Sequence, residues 1–193
     1  MNQFLSDSQR LLASADSTPA ILQRVARAAV PLLADFCFIF LVRNGDVPCV
    51  ASAHATPEGE RLLRRLNRVY RVTRDDPVST VAQVVRTARP RLRSEIGHEP
   101  KTPGVDLRIF TLHQRLGVRS ALVVPIGSSP DVLGAISLSY AESGRRFTRQ
   151  DIPIVNRLAS LVAAFLIERR RLTASPPPPP LTPRRPIRLR ARA

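Results

Sequence analysis

The sequence predicts an α+β domain with antiparallel strand pairing, and three observations support this. Residues 36–42 and 47–55 are strand-like runs joined through Asn44-Gly45-Asp46, and residues 121–126 and 132–140 form a second such pair across Gly127 to Asp131. Helical periodicity fills most of the interval between these hairpins and recurs on both sides of them. The chain has 193 residues, 44% of them hydrophobic, which is enough for one core with tails and too short for two cores. We divide it into an N-terminal extension (1–17), one domain (18–172) and a Pro/Arg-rich tail (173–193) expected to be disordered.

A first helix is expected over Thr18 to Ala34, where Ile21, Val25, Ala28, Ala29 and Leu32 recur at helical spacing and Pro31 should end or bend the helix. The first hairpin follows. Thr56-Pro57-Glu58 then reads as a helix start: threonine caps, proline fits the first position, and Glu58 and Glu60 suit the positive end of the dipole. Leu62, Leu63, Leu66, Val69 and Tyr70 mark its apolar face.

Asp76-Pro77 predicts a second start, with Asp76 as cap and Val78, Val81, Ala82 and Val85 buried, ending before Pro90. A short strand over Arg91 to Ser94 and a loop reaching Gly104 come next. Val105, Ile109, Leu112 and Leu116 then space a helix closed by Gly117 as a left-handed cap. The last helix starts at Thr148 or Asp151, the later start being favoured because Pro153 must lie in its first turn. Its apolar residues cover more than one side, so it needs a partner besides the sheet: the first helix, or a second copy of the chain.

The formal charge of +15 is almost wholly arginine, Lys101 being the only lysine, and five arginines fall in the last ten residues. Such a charge favours acidic partners, and arginines coating solvent-facing helix surfaces account for its dispersed part. Cys37 and Cys49 sit in strand-like runs with no second ligand at metal spacing, which argues against structural zinc. The start Met1 to Asp7 lacks the basic and apolar regions of a signal peptide, and Ala28 to Val42, interrupted by Pro31 and Asp35, is too short to span a bilayer. The expectation is a cytoplasmic protein with reduced thiols and no membrane segment.

Residues 116–151 carry the strongest pattern: Leu116-Gly117-Val118-Arg119-Ser120, two apolar strands, then Glu142-Ser143-Gly144-Arg145-Arg146-Phe147-Thr148-Arg149-Gln150-Asp151. With Leu33-Ala34-Asp35-Phe36-Cys37, the segment Ala51 to Pro57 and Arg86-Thr87-Ala88-Arg89-Pro90, this closely resembles GAF domains of bacterial multi-sensor kinases and phosphatases. The resemblance implies a five- or six-stranded antiparallel sheet, terminal helices on one face, and middle helices covering a ligand pocket on the other. Family members bind cyclic nucleotides, tetrapyrroles, haem or small metabolites, so membership does not fix a ligand or cofactor.

The chain departs from two specialised types. It has no cysteine beside a histidine for bilin attachment, and no cyclic-nucleotide signature of phosphodiesterase GAF domains. Ala88 stands where related sequences often carry glycine, a cost of about 1 kcal/mol if that position is left-handed. No kinase, phosphatase, cyclase or DNA-binding domain follows Leu172, so the expected output lies in a separate protein such as a kinase or phosphatase; a piece of a larger sensor would look the same.

No catalytic constellation stands out. His54, His98 and His113 are scattered, Ser120 and Ser137 lack a base at motif spacing, and Asp75-Asp76 suits a helix cap. Some GAF proteins reduce free methionine-(R)-sulfoxide with thiolates, but both cysteines here lie in apolar surroundings without an activating cation. Candidate pocket residues are the polar or aromatic groups embedded in apolar elements: His54, Tyr70, Phe110, His113, Arg119 and Ser137. The leading reading is a non-enzymatic, dimeric sensor module binding a small molecule. The alternative is an adaptor with a vestigial pocket whose arginines bind an acidic protein or nucleic acid.

Overall fold

The computed structural model describes residues 2–14, 16–97 and 106–174. His98, the rest of the loop expected up to Gly104, Val105 and the Pro/Arg-rich tail from Ser175 lie outside the described residues. Five strands form one antiparallel sheet in the order β2-β1-β5-β4-β3: β1 Phe36–Leu41, β2 Cys49–His54, β3 Arg91–Arg93, β4 Ser120–Ile126 and β5 Gly134–Tyr140. Helices α1 (Asn2–Leu12), α2 (Thr18–Ala29) and α6 (Ile152–Ala174) belong to the core on one face. Helices α3 (Pro57–Val69), α4 (Thr80–Thr87) and α5 (Leu107–Leu116) belong to the other.

Side-chain size differs sharply between the two faces of the sheet. Alternate strand residues point to opposite sides. Leu122, Val124, Ile126, Ile136, Leu138 and Tyr140 face α1, α2 and α6 and are buried. On the opposite side β5 presents Ala135, Ser137 and Ser139, and β4 presents Ala121 and Val123. The first face is filled by large side chains, each fully buried one worth about 1.5–3 kcal/mol. The second has a low floor in its middle.

Helix ends follow local chemistry. Helix α2 stops at Ala29, earlier than the expected Ala34: Val30, preceding Pro31, is extended (φ −108°, ψ 130°), because a following proline ring disfavours helical backbone. Leu32, expected on the apolar face, is consequently 63% exposed. In α3 the Thr56 hydroxyl accepts from Gly59 N–H at 3.1 Å, as its sequence suggests.

Asp76 does not cap α4. Its carboxylate accepts from the N–H groups of Val78 and Ser79 (2.9 and 3.0 Å), forming a turn one step upstream, and Ser79 caps the helix by accepting from Ala82 N–H. Val78, expected to be buried, is thereby left on the turn and is 50% exposed. Ala88 ends α4 in the left-handed region (φ 52°, ψ 26°), and Gly117 ends α5 there (φ 60°).

The strand β1 is tied to the end of β5 by one buried carboxylate. Asp35 Oδ2 accepts from Ala141 N–H (2.7 Å) and Ser143 N–H (3.0 Å), while Arg145 approaches Oδ1 at 3.5 Å and lies over the Tyr140 ring. Burial alone would raise the Asp35 carboxyl, but these donors outweigh it and hold it below the usual carboxylate value.

Helix α6 begins after a short 3-10 turn, Arg149–Asp151, closed by a capping box between Thr148 and Asp151. By length and composition it could cross a membrane, yet Val155, Leu158, Val162, Phe165 and Leu166 are buried in the core and the helix packs on β4. The extra cover it needs comes from α1, an element within the N-terminal extension that the sequence reading did not assign. Phe4 and Leu5 of α1 are buried in the same core, and Arg169 Nη2 on α6 donates to the carbonyls of Ser14 and Asp16.

Candidate functional site

The low floor opens a cavity of about 820 Å³ between the sheet and helices α3, α4 and α5. This lies within the range of about 300–1,000 Å³ typical of small-molecule sites. Its existence follows from the residues beneath it: Ala121, Ser137 and Ser139 are too short to reach the helices above. Phe36, Phe38 and Phe40 wall it on β1, Leu66 and Tyr70 close one side, and Ile109, Phe110 and His113 of α5 close another.

Five of the six candidates, Tyr70, Phe110, His113, Arg119 and Ser137, line this cavity. Tyr70 and Ser79 share a hydroxyl–hydroxyl hydrogen bond of 3.2 Å, and the His113 ring meets Tyr70 edge-on at 5.8 Å. Burial pushes the Tyr70 hydroxyl pKa up and the His113 imidazole pKa down, favouring the neutral form of each. His113 keeps accessible surface because its side chain faces the cavity, while the protein packed around it still costs the charged ring its hydration.

His54 lies elsewhere. Its ring stacks on Phe36 (5.4 Å, 9° between planes) and its Nδ1 accepts from Thr56 N–H at 3.0 Å, which puts the proton of the neutral ring on Nε2. It borders a separate hollow of about 220 Å³ with Gly59, Arg115 and Glu142. Burial lowers the His54 pKa, opposed by the charges of Glu142, Asp35 and Glu60. Position near a strand end suggested a pocket, but the β2–α3 turn folds the ring back beneath Gly59.

The sequence reading missed the three phenylalanines and Arg91 and Arg93. A signal for them was present. In Gly134-Ala135-Ile136-Ser137-Leu138-Ser139-Tyr140 large and small residues alternate strictly, so one face of that strand must be low. In Arg91-Leu92-Arg93 the central leucine packs on the filled core, which turns both arginines toward the low side.

The two thiols are free and lie apart from the cavity. Cys37 is in the filled core, opposite Ala53 on β2, and burial pushes its pKa far up. Cys49 is opposite Phe40, and burial raises its thiol to about 12 despite hydrogen bonds that favour the thiolate. Among the described residues no group of three or more His, Cys, Asp and Glu is placed to hold a metal ion.

This sheet order and helix placement are those of a domain class common in sensory and regulatory signalling proteins. The GAF domain family matches residues 17–166, and the chain belongs to it. No curated protein matches the chain.

Among solved structures it is similar to the GAF domain of a phosphoenolpyruvate-protein phosphotransferase from Coxiella burnetii (TM-score 0.66, 18% identity, covering 90% of this chain and 96% of that one). The GAF domain of A. aeolicus nlh2 in an inactive state is similar at TM-score 0.63 (12% identity, 87% and 96% covered). So is the free methionine-R-sulfoxide reductase of Neisseria meningitidis, solved with its substrate (TM-score 0.63, 13% identity, 89% and 90% covered). At these identities the likeness establishes the fold.

Proposed function

We propose that this chain is a non-enzymatic sensory or regulatory GAF module that binds a small molecule in the 820 Å³ cavity and relays its occupancy to a separate output protein. The cavity carries this reading. It is large, walled by aromatic and aliphatic side chains, and provided with a few polar groups, the combination that holds small ligands. Thiol-based reduction is disfavoured, because Cys37 lies in the opposite core and neither cysteine lines the cavity. The module works in the cytoplasm, where both thiols stay reduced.

Relay through paired helices is part of the proposal. Helix α6 runs for 23 residues, about 35 Å at 1.5 Å each, and its outer surface carries Ile167 and Leu172 exposed by 43% and 66%. A second copy covering these positions makes the chain a dimer. Light scattering should then give a mass that rises with concentration toward twice 21.3 kDa; a constant monomer mass contradicts dimerisation.

A thermal-shift screen of the full chain against small metabolites tests the ligand reading. A compound at about 100 times its Kd adds about 2.7 kcal/mol to stability. That raises Tm by roughly 5–10 °C for a domain of this size. Salt-sensitive nucleic-acid binding with no small-molecule shift would instead favour the adaptor.

A further inference from the structure

We infer that the cavity takes an anionic ligand with a flat apolar body, the anion held at the β3–β4 edge by Arg91, Arg93 and Arg119 and the body lying against the phenylalanines of β1. The inference rests on the cavity being a ligand site, as proposed above, and adds the ligand's chemical class.

The sheet register sets out this polarity. One cross-strand row runs Phe36, Ser139, Ala121, Arg93, and the next runs Phe38, Ser137, Val123, Arg91. Each begins with an aromatic ring on β1, passes a hydroxyl and a small apolar residue, and ends in a guanidinium on β3. Three strand spacings of about 4.8 Å separate the end residues, so the floor is roughly 14 Å across. Arg119 precedes β4 at a position alternating with Ala121 and Val123, and it lines the same cavity. All three arginines line the cavity from this edge.

Two of the three acids that line the cavity are engaged in local structure, and the third, Glu142, lies just past the end of β5. Asp76 accepts two backbone N–H groups, and Asp106 pairs with Arg108 at 3.1 Å. Among the described residues neither Arg91 nor Arg119 takes part in a salt bridge. The like charges of Arg91 and Arg119 at one edge disfavour each other, and an entering carboxylate or phosphate relieves this while accepting paired N–H donors. Ser137 and Ser139 stand midway, able to bond a polar substituent between the two ends.

Three probes with one body test the class: 2-naphthoate, 2-naphthyl phosphate and neutral 2-naphthamide, each titrated into the full chain by fluorescence anisotropy. At least one anion should bind tenfold or more tighter than the amide, about the worth of one charge-assisted hydrogen bond. The preferred anion distinguishes a carboxylate ligand from a phosphate ligand. In the variant Arg91→Gln/Arg93→Gln/Arg119→Gln the anion should fall to the affinity of the amide while amide binding holds, with Tm as the folding control. Phe110→Ala should weaken all three probes alike.

Equal binding of amide and anions by the wild type overturns the ligand class and leaves the cavity reading standing. An unchanged anion preference in the triple variant overturns the assignment to these arginines. Binding of none of the three overturns the ligand class, while the cavity reading stands or falls on the metabolite screen.

Discussion

Replacing Ala121 with leucine should stabilise the protein, because its side chain points into empty space. Ala121 lies mid-floor, paired with Ser139 and Arg93, and lines the cavity. Leucine adds three carbon atoms; at about 0.8 kcal/mol per buried methylene the upper limit is roughly 2.4 kcal/mol. For a domain of this size that corresponds to Tm raised by up to about 5–10 °C. The same addition to a filled core destabilises by about 1–3 kcal/mol, so the sign alone discriminates. The neighbour Leu122 faces the filled core and is fully buried; Leu122→Ala should cost about 2–5 kcal/mol. Urea denaturation of the two variants beside the wild type measures both. Loss of more than about 1 kcal/mol in Ala121→Leu would refute the argument that small floor residues leave a cavity.

Three further outcomes follow from local geometry. Ala88→Gly should stabilise by about 1 kcal/mol, since Ala88 sits at φ 52° where a Cβ is strained; an unchanged urea midpoint counts against this. Gly59→Ala should destabilise by about 1–3 kcal/mol, because a Cβ there meets the His54 ring and must displace it from Phe36; wild-type stability would show that the ring moves freely. Asp35→Ala should cost about 1–3 kcal/mol by leaving the buried Ala141 N–H without its acceptor. Because the folded Asp35 pKa is depressed, its contribution is present above the unfolded value near 4 and is lost as pH falls through the folded value, so the deficit of the variant should shrink in acid. A deficit constant from neutral pH to about pH 2 would contradict that assignment.

Much of the fold could be read from short-range chemistry. The hairpin turn at Asn44-Gly45, the Thr56-Pro57 helix start, the Gly117 cap and the Thr148–Asp151 box each depend on neighbouring residues, and all stand as their residues suggest. Errors arose where competing local signals had to be ranked. Asp76 and Ser79 can both cap, and the carboxylate took the turn, which moved the helix start and exposed Val78. Helix α1 escaped notice because Phe4, Leu5 and Ser8 gain their burial by packing against α2 and the sequence-distant α6. Five cavity residues were legible as polar or aromatic intrusions in apolar elements. His54 fits the same description and sits in another hollow, because which side of Phe36 it takes depends on how the following turn folds. The arginines of β3 become part of the site only through pairing with β4, a long-range register that helical or strand periodicity alone does not specify.

Methyl-resolved NMR of the full chain titrated with 2-naphthoate tests the central claim most directly. The account predicts shifts concentrated at Val81, Ile96, Ile109, Val118 and Val123, which line the cavity, with Leu122, Val124, Ile136 and Leu138 across the sheet nearly unmoved. Shifts centred on the opposite face, or none at saturating probe, would contradict a ligand site between the sheet and helices α3, α4 and α5.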